Sequence, residues 1–484
     1  PAGLDDDALE QWLEQAEVSL QAEAKLTAQE LAVQISELML QTAAGDHLKA
    51  QATVTLPVTP APSISVKANY TGDWPQLLAP WLPVGRIRST GQLEATKIGE
   101  KLSICQLDLA LTRETGALLG RAVVLQPFTL DLATGRAWVD QPPPKVASNH
   151  AQGDLMRLTW GALPIDNLPI SFGGGKPSGV VAAGEFLLAN ESERLTLRAA
   201  VPLNLRQLAW AQRGRRLVDG LQLTAQPSVE FTGAKNFKLQ TGDVLIQNSA
   251  GENIFSGQGQ LSQSTDTDLR GSLTLAVELP ALLAQPFWGA APLLTAGRIS
   301  GEIRVAGNGL KQVEARLTSN GLVAATGSDA LPVANLSFRL IVQPSGQVSV
   351  QAPLLLDRAG RRSDLNLNLE LQPRVGGYTV AGRVSGTQVD YADAIALAGL
   401  VSAAALPRSA AVSVPVGAVE NIADATPAWA QYYGQVTLNV KTVTWGADWA
   451  MTGLTGQLGL EPTRLVLEQL SATMGEKSKF AARG

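Results

Sequence analysis

Apolar and polar residues alternate with period two through most of the chain. Between Ser363 and Pro373, Leu365, Leu367, Leu369 and Leu371 take turns with Asn366, Asn368, Glu370 and Gln372. Successive side chains of a strand point to opposite faces, so this segment is a strand with one apolar and one polar face. As a helix it would scatter the same leucines around the cylinder. The pattern recurs at Leu48, Ala50, Ala52, Val54 and Leu56, and again at Leu273, Leu275, Val277 and Leu279. It returns at Ile303 and Val305, at Leu336, Phe338, Leu340 and Val342, at Val348 and Val350, and at Val436, Leu438 and Val440. Turn sequences such as Gly-Asn-Gly, Thr-Ser-Asn-Gly and Gln-Pro-Ser-Gly separate these runs. Short strands with regular polar punctuation predict a mainly β, antiparallel, meander-rich protein.

A few segments depart from alternation. Leu9, Trp12, Leu13, Ala16 and Leu20 fall at helical spacing behind Asp5, Asp6 and Asp7, acids that suit a helix start, so a helix is expected over about Asp6 to Val18. Its acidic polar face fits a cover for a sheet edge better than a membrane-surface helix. Helical turns are also expected within Asp73–Ile87 and Glu278–Ile299, two passages built alike: strand, Pro, Leu-Leu-Ala, Pro and Trp, then Gly-Arg-Ile and a new strand. A third strand-to-helix passage follows Arg383. Such a degenerate long-period repeat implies one building scheme used several times. The Pro-Pro-Pro run at 142–144 and the Ala/Pro-rich stretch 402–430 read as excursions. The resulting divisions are an N-terminal helix and first β segment (1–139), a Pro/Gly-rich loop region (140–180), a central β segment (181–401), the excursion (402–430) and a C-terminal β repeat (431–484).

Composition narrows the function classes. Formal charge is −5 over 484 residues, and no basic run is present, which argues against nucleic-acid partners and a polybasic membrane anchor. Aromatics are 5% against 45% hydrophobic residues, so the apolar content is mostly aliphatic. The single cysteine, Cys105, reads as a small core filler. No apolar run is long enough for a transmembrane helix. The chain opens at Pro1 and closes on a strand-like Lys-Ser-Lys-Phe, so it is expected to be part of a longer polypeptide that carries any anchor.

No catalytic set is visible. His47 and His150 sit in turn-like polar sequence, and no His or Cys spacing suits a metal. The glycine run before Lys176 fails as a phosphate loop, because Ile170 stands where the first glycine belongs and Pro177 follows the lysine. It reads as a glycine loop. The expectation is a non-enzyme without cofactor. The Trp residues are ten; Trp74, Trp81 and Trp288 fall in the Leu-Leu-Ala turns, while Trp429, Trp445 and Trp449 cluster late. They read as corner packing, with lipid contact as the alternative.

The apolar face must be hidden. Burying one leucine is worth about 1.5–3 kcal/mol, so leaving four wet forgoes roughly 6–12 kcal/mol, comparable to the stability of a whole domain. A second sheet, a barrel or a groove filled by something else would each serve, and periodicity does not choose among them.

The end of the chain supplies a further pointer. Pro427 and Trp429 precede Gly434 and an alternating strand. Trp445 and Gly446 form an aromatic-Gly turn, and Leu454, Gly456, Leu467, Leu470, Ser471 and Ala472 follow in Leu-x-Gly and Leu-Ser-Ala strands. From about Thr426 onward this resembles the C-terminal repeat of the AsmA-like family of bacterial envelope proteins, and the upstream Leu-Pro-Ala-Leu-Leu-Ala units are similar to the family's middle. The resemblance implies a long twisted antiparallel sheet curled into an elongated hydrophobic groove with a few short helices. It implies a periplasmic conduit, attached to the inner membrane through a segment outside this chain, with phospholipids and inner- and outer-membrane components as partners. Acyl chains would lie on Leu273, Leu275, Val277, Leu336, Phe338, Leu340, Val348, Val350, Leu365, Leu367, Leu369, Leu371, Val436, Leu438 and Val440, with Asn366 and Asn368 outside. The rival readings are a scaffold for outer-membrane protein assembly and a closed β-sandwich binding module.

Overall fold

The computed structural model describes residues 16–43, 45–57, 63–75, 85–134, 136–139, 153–167, 175–191, 194–212, 215–231, 236–264, 268–288, 294–308, 310–324, 331–393, 395, 431–446, 449–461, 464–475 and 478–484. These residues form one mixed sheet of 29 strands, which is not closed. Among the described residues, helix is limited to α1 (Leu279–Leu283), to residues 391–393 and 395 in the third strand-to-helix passage, and to single turns at Ile165–Asn167 and Pro286–Trp288. The chain divides into two compact units, one of Pro1–Ala250 with Ser262–Ser264, the other of Gly251–Leu261 with Thr265–Gly484.

The first unit opens with a meander: β1 (Ala16–Leu26), β2 (Glu30–Thr42), β3 (His47–Pro57), β4 (Ser63–Trp74), β5 (Ile87–Ile98) and β6 (Lys101–Arg113), each antiparallel to the next. It continues through β7 (Leu118–Val124), β8 (Phe128–Asp131), β9 (Ala137–Val139), β10 (Asp154–Trp160), β11 (Leu163–Pro164), β12 (Gly175–Val181), β13 (Gly184–Glu191) and β14 (Arg194–Ala199). The strands β15 (Leu203–Gln212), β16 (Arg215–Phe231) and β17 (Phe237–Gln247) complete it. Here the meander is broken. The second half of β6 pairs with β7 and its first four residues pair with β8. From β7 the pairings run to β10, β13 and β14, while β8 pairs with β9. A single bridge, Arg136 to Arg194, links that short hairpin to β14. The pairings thus return on themselves around a buried cluster of Phe128, Ala137, Leu155 and Leu195, with Ile104, Val124 and Phe231 packed against it. Phe128 is 1% exposed.

The second unit is the plainer one. Its strands are β18 (Asn253–Gln263), β19 (Asp268–Glu278), β20 (Leu294–Asn308), β21 (Leu310–Ala324), β22 (Val333–Val342), β23 (Val348–Arg358), β24 (Arg361–Arg374) and β25 (Gly377–Asp390). After residues 391–431 come β26 (Tyr432–Trp445), β27 (Trp449–Glu461), β28 (Arg464–Met474) and β29 (Ser478–Ala482). From β19 onward each strand pairs antiparallel with the next, except that β26 runs parallel to β25. That one parallel pair corrects the all-antiparallel expectation. A parallel neighbour cannot follow through a tight turn, and the connecting chain has to return to the other end of the sheet.

Several expectations change. Ala16–Val18, placed in the N-terminal helix, belong to β1, and the rest of that predicted helix lies outside the described residues. Ala16 and Leu20 fit both a helical stripe and the strand alternation of Ala16, Val18, Leu20 and Ala22, and pairing with β2 decides for the strand. The span 140–180 includes β10, β11 and β12, and Gly175 and Lys176 of the glycine run begin β12 rather than a loop. Cys105 is exposed, because a bulge between Glu94 and Ala95 makes it the extra residue in β6. His47 opens β3 and is exposed. His150, Trp81, Trp429 and the 402–430 excursion lie outside the described residues.

The repeated strand–turn–strand passages share an electrostatic tie. In the first, the Gly-Arg-Ile arginine, Arg86, donates from Nε to Asp73 Oδ1 at 2.6 Å, an acid at the end of β4. In the second, Arg298 lies 3.4 Å from Glu278, the last residue of β19. The third replaces one pair with a network. Asp393, 0% exposed, accepts from Arg358 Nε at 2.9 Å and from Ser363 Oγ at 2.8 Å. Ser363 Oγ in turn accepts from the Asp390 amide.

Candidate functional site

Residues directly opposite each other across a ladder share a face, so register assigns residues of successive strands to rows on one side of the sheet. One row crosses ten strands, from Gly271 in β19 through Val305, Val313, Leu340, Val350, Leu369, Gly382, Val436 and Leu458 to Leu467 in β28. Adjacent rows on the same side hold Leu273, Ile303, Ala315 and Phe338, and Leu336, Leu354 and Leu365. Leu275 opposes Gly301, and Val277 opposes Ile299. Val348 pairs with Leu371, Leu367 with Val384, Val384 with Leu438, and Val440 with Leu454. All the lining residues expected from the sequence therefore occupy one face of the second unit. At ~4.8 Å between strands the row is roughly 43 Å long.

The reverse face is its polar counterpart. One residue along, the row reads Arg304, Glu314, Arg339, Gln351, Asn368, Arg383, Thr437, Gln457 and Gln469. Arg339 lies 3.4 Å from Glu314 across the ladder. A hollow of about 620 Å³ on this face is bordered by Asn368, Glu370, Arg383, Gln435 and Glu468. A similar hollow of about 600 Å³ in the first unit is bordered by Lys49, Asn69, Gln92 and the Arg121–Asp108 ion pair. Both are lined by polar and apolar groups together.

The aliphatic face is incompletely covered. Of the lining residues, Leu275 and Val440 alone are buried; Leu365, Leu367, Leu369, Leu371, Leu336, Phe338, Leu340, Val348, Val350, Val436 and Leu438 stay partly exposed. In a close-packed core these positions would be fully enclosed. Val440 owes its burial to a local cluster with Val389 and Val443, backed by Tyr391 and Leu454. The face is smooth because glycine replaces bulk where neighbours lean in. A Cβ on Gly382 would lie 2.7 Å from Leu369 Cδ2 and 2.9 Å from Val436 Cγ2.

The end of this face is held in shape by Asp364. Its carboxylate accepts from the Thr387 amide at 2.9 Å and the Gln388 amide at 2.7 Å, where β25 departs from the ladder. Burial works to raise its pKa, and these donors outweigh it, holding the carboxyl below its ordinary range.

Sequence reasoning missed the β25 and β27 members, Val380, Val384, Leu454 and Leu458. Glycine at Gly382, Gly386 and Gly456 interrupts their apolar alternation, and the only signal left is the spacing of Val and Gly taken together. Among the described residues, no group of three or more His, Cys, Asp or Glu side chains could hold a metal ion, and no helix is long and apolar enough to cross a membrane. No family model, curated protein or solved structure matches this chain.

Proposed function

We propose that the aliphatic face of β19–β28 binds the acyl chains of phospholipids, and that the protein is a non-enzymatic lipid carrier of the periplasm, acting between inner and outer membranes. One observation carries the reading: a row across ten strands, eight aliphatic side chains and two glycines, that no part of the described second unit fully covers. If each partly exposed aliphatic residue forgoes about 0.5 kcal/mol, the face leaves on the order of 5 kcal/mol unclaimed, which fatty chains would recover. A β-sandwich would bury these residues, so their exposure supports the open reading. The chemistry is partition, with no bond made or broken: tails lie against Leu and Val, and headgroups remain in water. The transport direction would come from partners or gradients. The envelope setting rests on the resemblance of the C-terminal strands described above.

The test is Leu367→Arg. In a half-open face its long side chain reaches water, so the expected variant is folded and purifies without the phospholipid that native mass spectrometry detects on the wild type. A folded variant that carries the same lipid, or a wild type that carries none, would overturn the reading.

A further inference from the structure

The β26–β27 hairpin ends in an arrangement that the acyl-binding face does not explain. Trp445 and Trp449 form the last pair of this ladder, and both are exposed, by 65% and 66%. Gly446, with φ +67°, starts the turn between them. The base of the tip is packed: Tyr391 stacks on Trp445 with ring centroids 4.5 Å apart, and Val443 is buried. Tyr391 follows Asp390, which pairs with Arg361 at 3.0 Å. Arg361 and its neighbour Arg362 are 52% and 86% exposed, although each shares charge with an aspartate, Asp390 and Asp357. Ile395, 52% exposed, lies one helical turn beyond Tyr391.

We propose that this tip docks on a bilayer surface carrying anionic headgroups, the two indoles entering the interface and Arg361 and Arg362 meeting phosphates. Indole has an apolar body and an N–H donor, and it is favoured where hydrocarbon meets water. Protein partners fit less well. At ~250 Å² per Trp side chain, the exposed parts of the pair offer roughly 330 Å², well under the ~800 Å² per partner of a stable protein interface. A bilayer demands no complementary shape. Docking is separate from acyl binding and stands or falls without it.

Flotation of the full chain with vesicles of equal parts phosphatidylethanolamine and phosphatidylglycerol tests the proposal. The wild type is expected to float, and Trp445→Ala/Trp449→Ala is expected to lower its partition by about tenfold or more. Arg362→Gln should weaken flotation with these vesicles and leave binding to phosphatidylcholine vesicles unchanged. Val375→Ser/Tyr433→Ser, at the opposite strand ends, should float like the wild type. Circular dichroism and native mass spectrometry of co-purified lipid establish that each variant is folded and whether its acyl face is filled. The proposal is overturned if the wild type does not float, if the Trp variant floats equally, if the Val375/Tyr433 variant loses as much, or if the Trp pair instead drives self-association.

Discussion

Two regions use the same kind of strand for opposite ends. Around β8 and β9 the pairings curl back and enclose Phe128, Ala137 and Leu155 almost completely. Along β19–β28 the described residues lay no second layer fully over the face, and Leu365, Leu367 and Leu369 stay partly exposed. The difference does not lie in how apolar the strands are. It lies in two short strands of four and three residues that give the first region a lid of its own chain. A face becomes core or candidate site according to whether the chain spends residues on covering it.

The sharpest way to break this contrast is to truncate one residue in each region. Phe128→Ala opens a cavity in an enclosed cluster and is expected to cost about 3–5 kcal/mol, read as a lower urea midpoint for the first unit. Next in size is Asp393→Ala. It strips the buried partner from Arg358 and Ser363, and about 3 kcal/mol is expected, read by chemical denaturation of the second unit. Leu367→Ala sits on the open face. There the vacated space adjoins solvent, so a loss near 1 kcal/mol or less is expected for lipid-free protein. Similar losses for Phe128→Ala and Leu367→Ala would erase the distinction.

The smallest effect is one of pH. The hydrogen bond from Arg86, against the cost of burial, holds the Asp73 carboxyl below its ordinary range. A carboxylate depressed in the folded state stabilises fully above its unfolded value of about 3.9, and this is lost as pH falls through the folded value. The melting temperature of Asp73→Asn should therefore lie below that of the wild type near neutrality, and the gap should close below pH ~4. The effect is modest because the Arg86 side chain is 41% exposed.

Most strands of the open region were legible because Leu365 to Leu371 and Val436 to Val440 state their period without interruption. The shared face was legible too, since period two fixes which residues go together. What escaped has physical causes. The β8–β9 hairpin is too short to display a period. Ala16 and Leu20 satisfy two periods at once, so local pattern could not exclude a helix. The bulge that exposes Cys105 depends on the partner strand. The parallel pairing of β25 with β26 depends on which distant edge the last strands meet, and nothing within either strand records it.

That parallel seam has a consequence for how the molecule is assembled. β26 to β29 make their own hairpins from neighbours close in sequence, so residues 432–484 form a locally knit block. Its attachment to β25 closes a far longer loop and gains its contacts only after the block exists. By loop-closure cost, the final stretch of the aliphatic row is expected to knit locally before it joins β25.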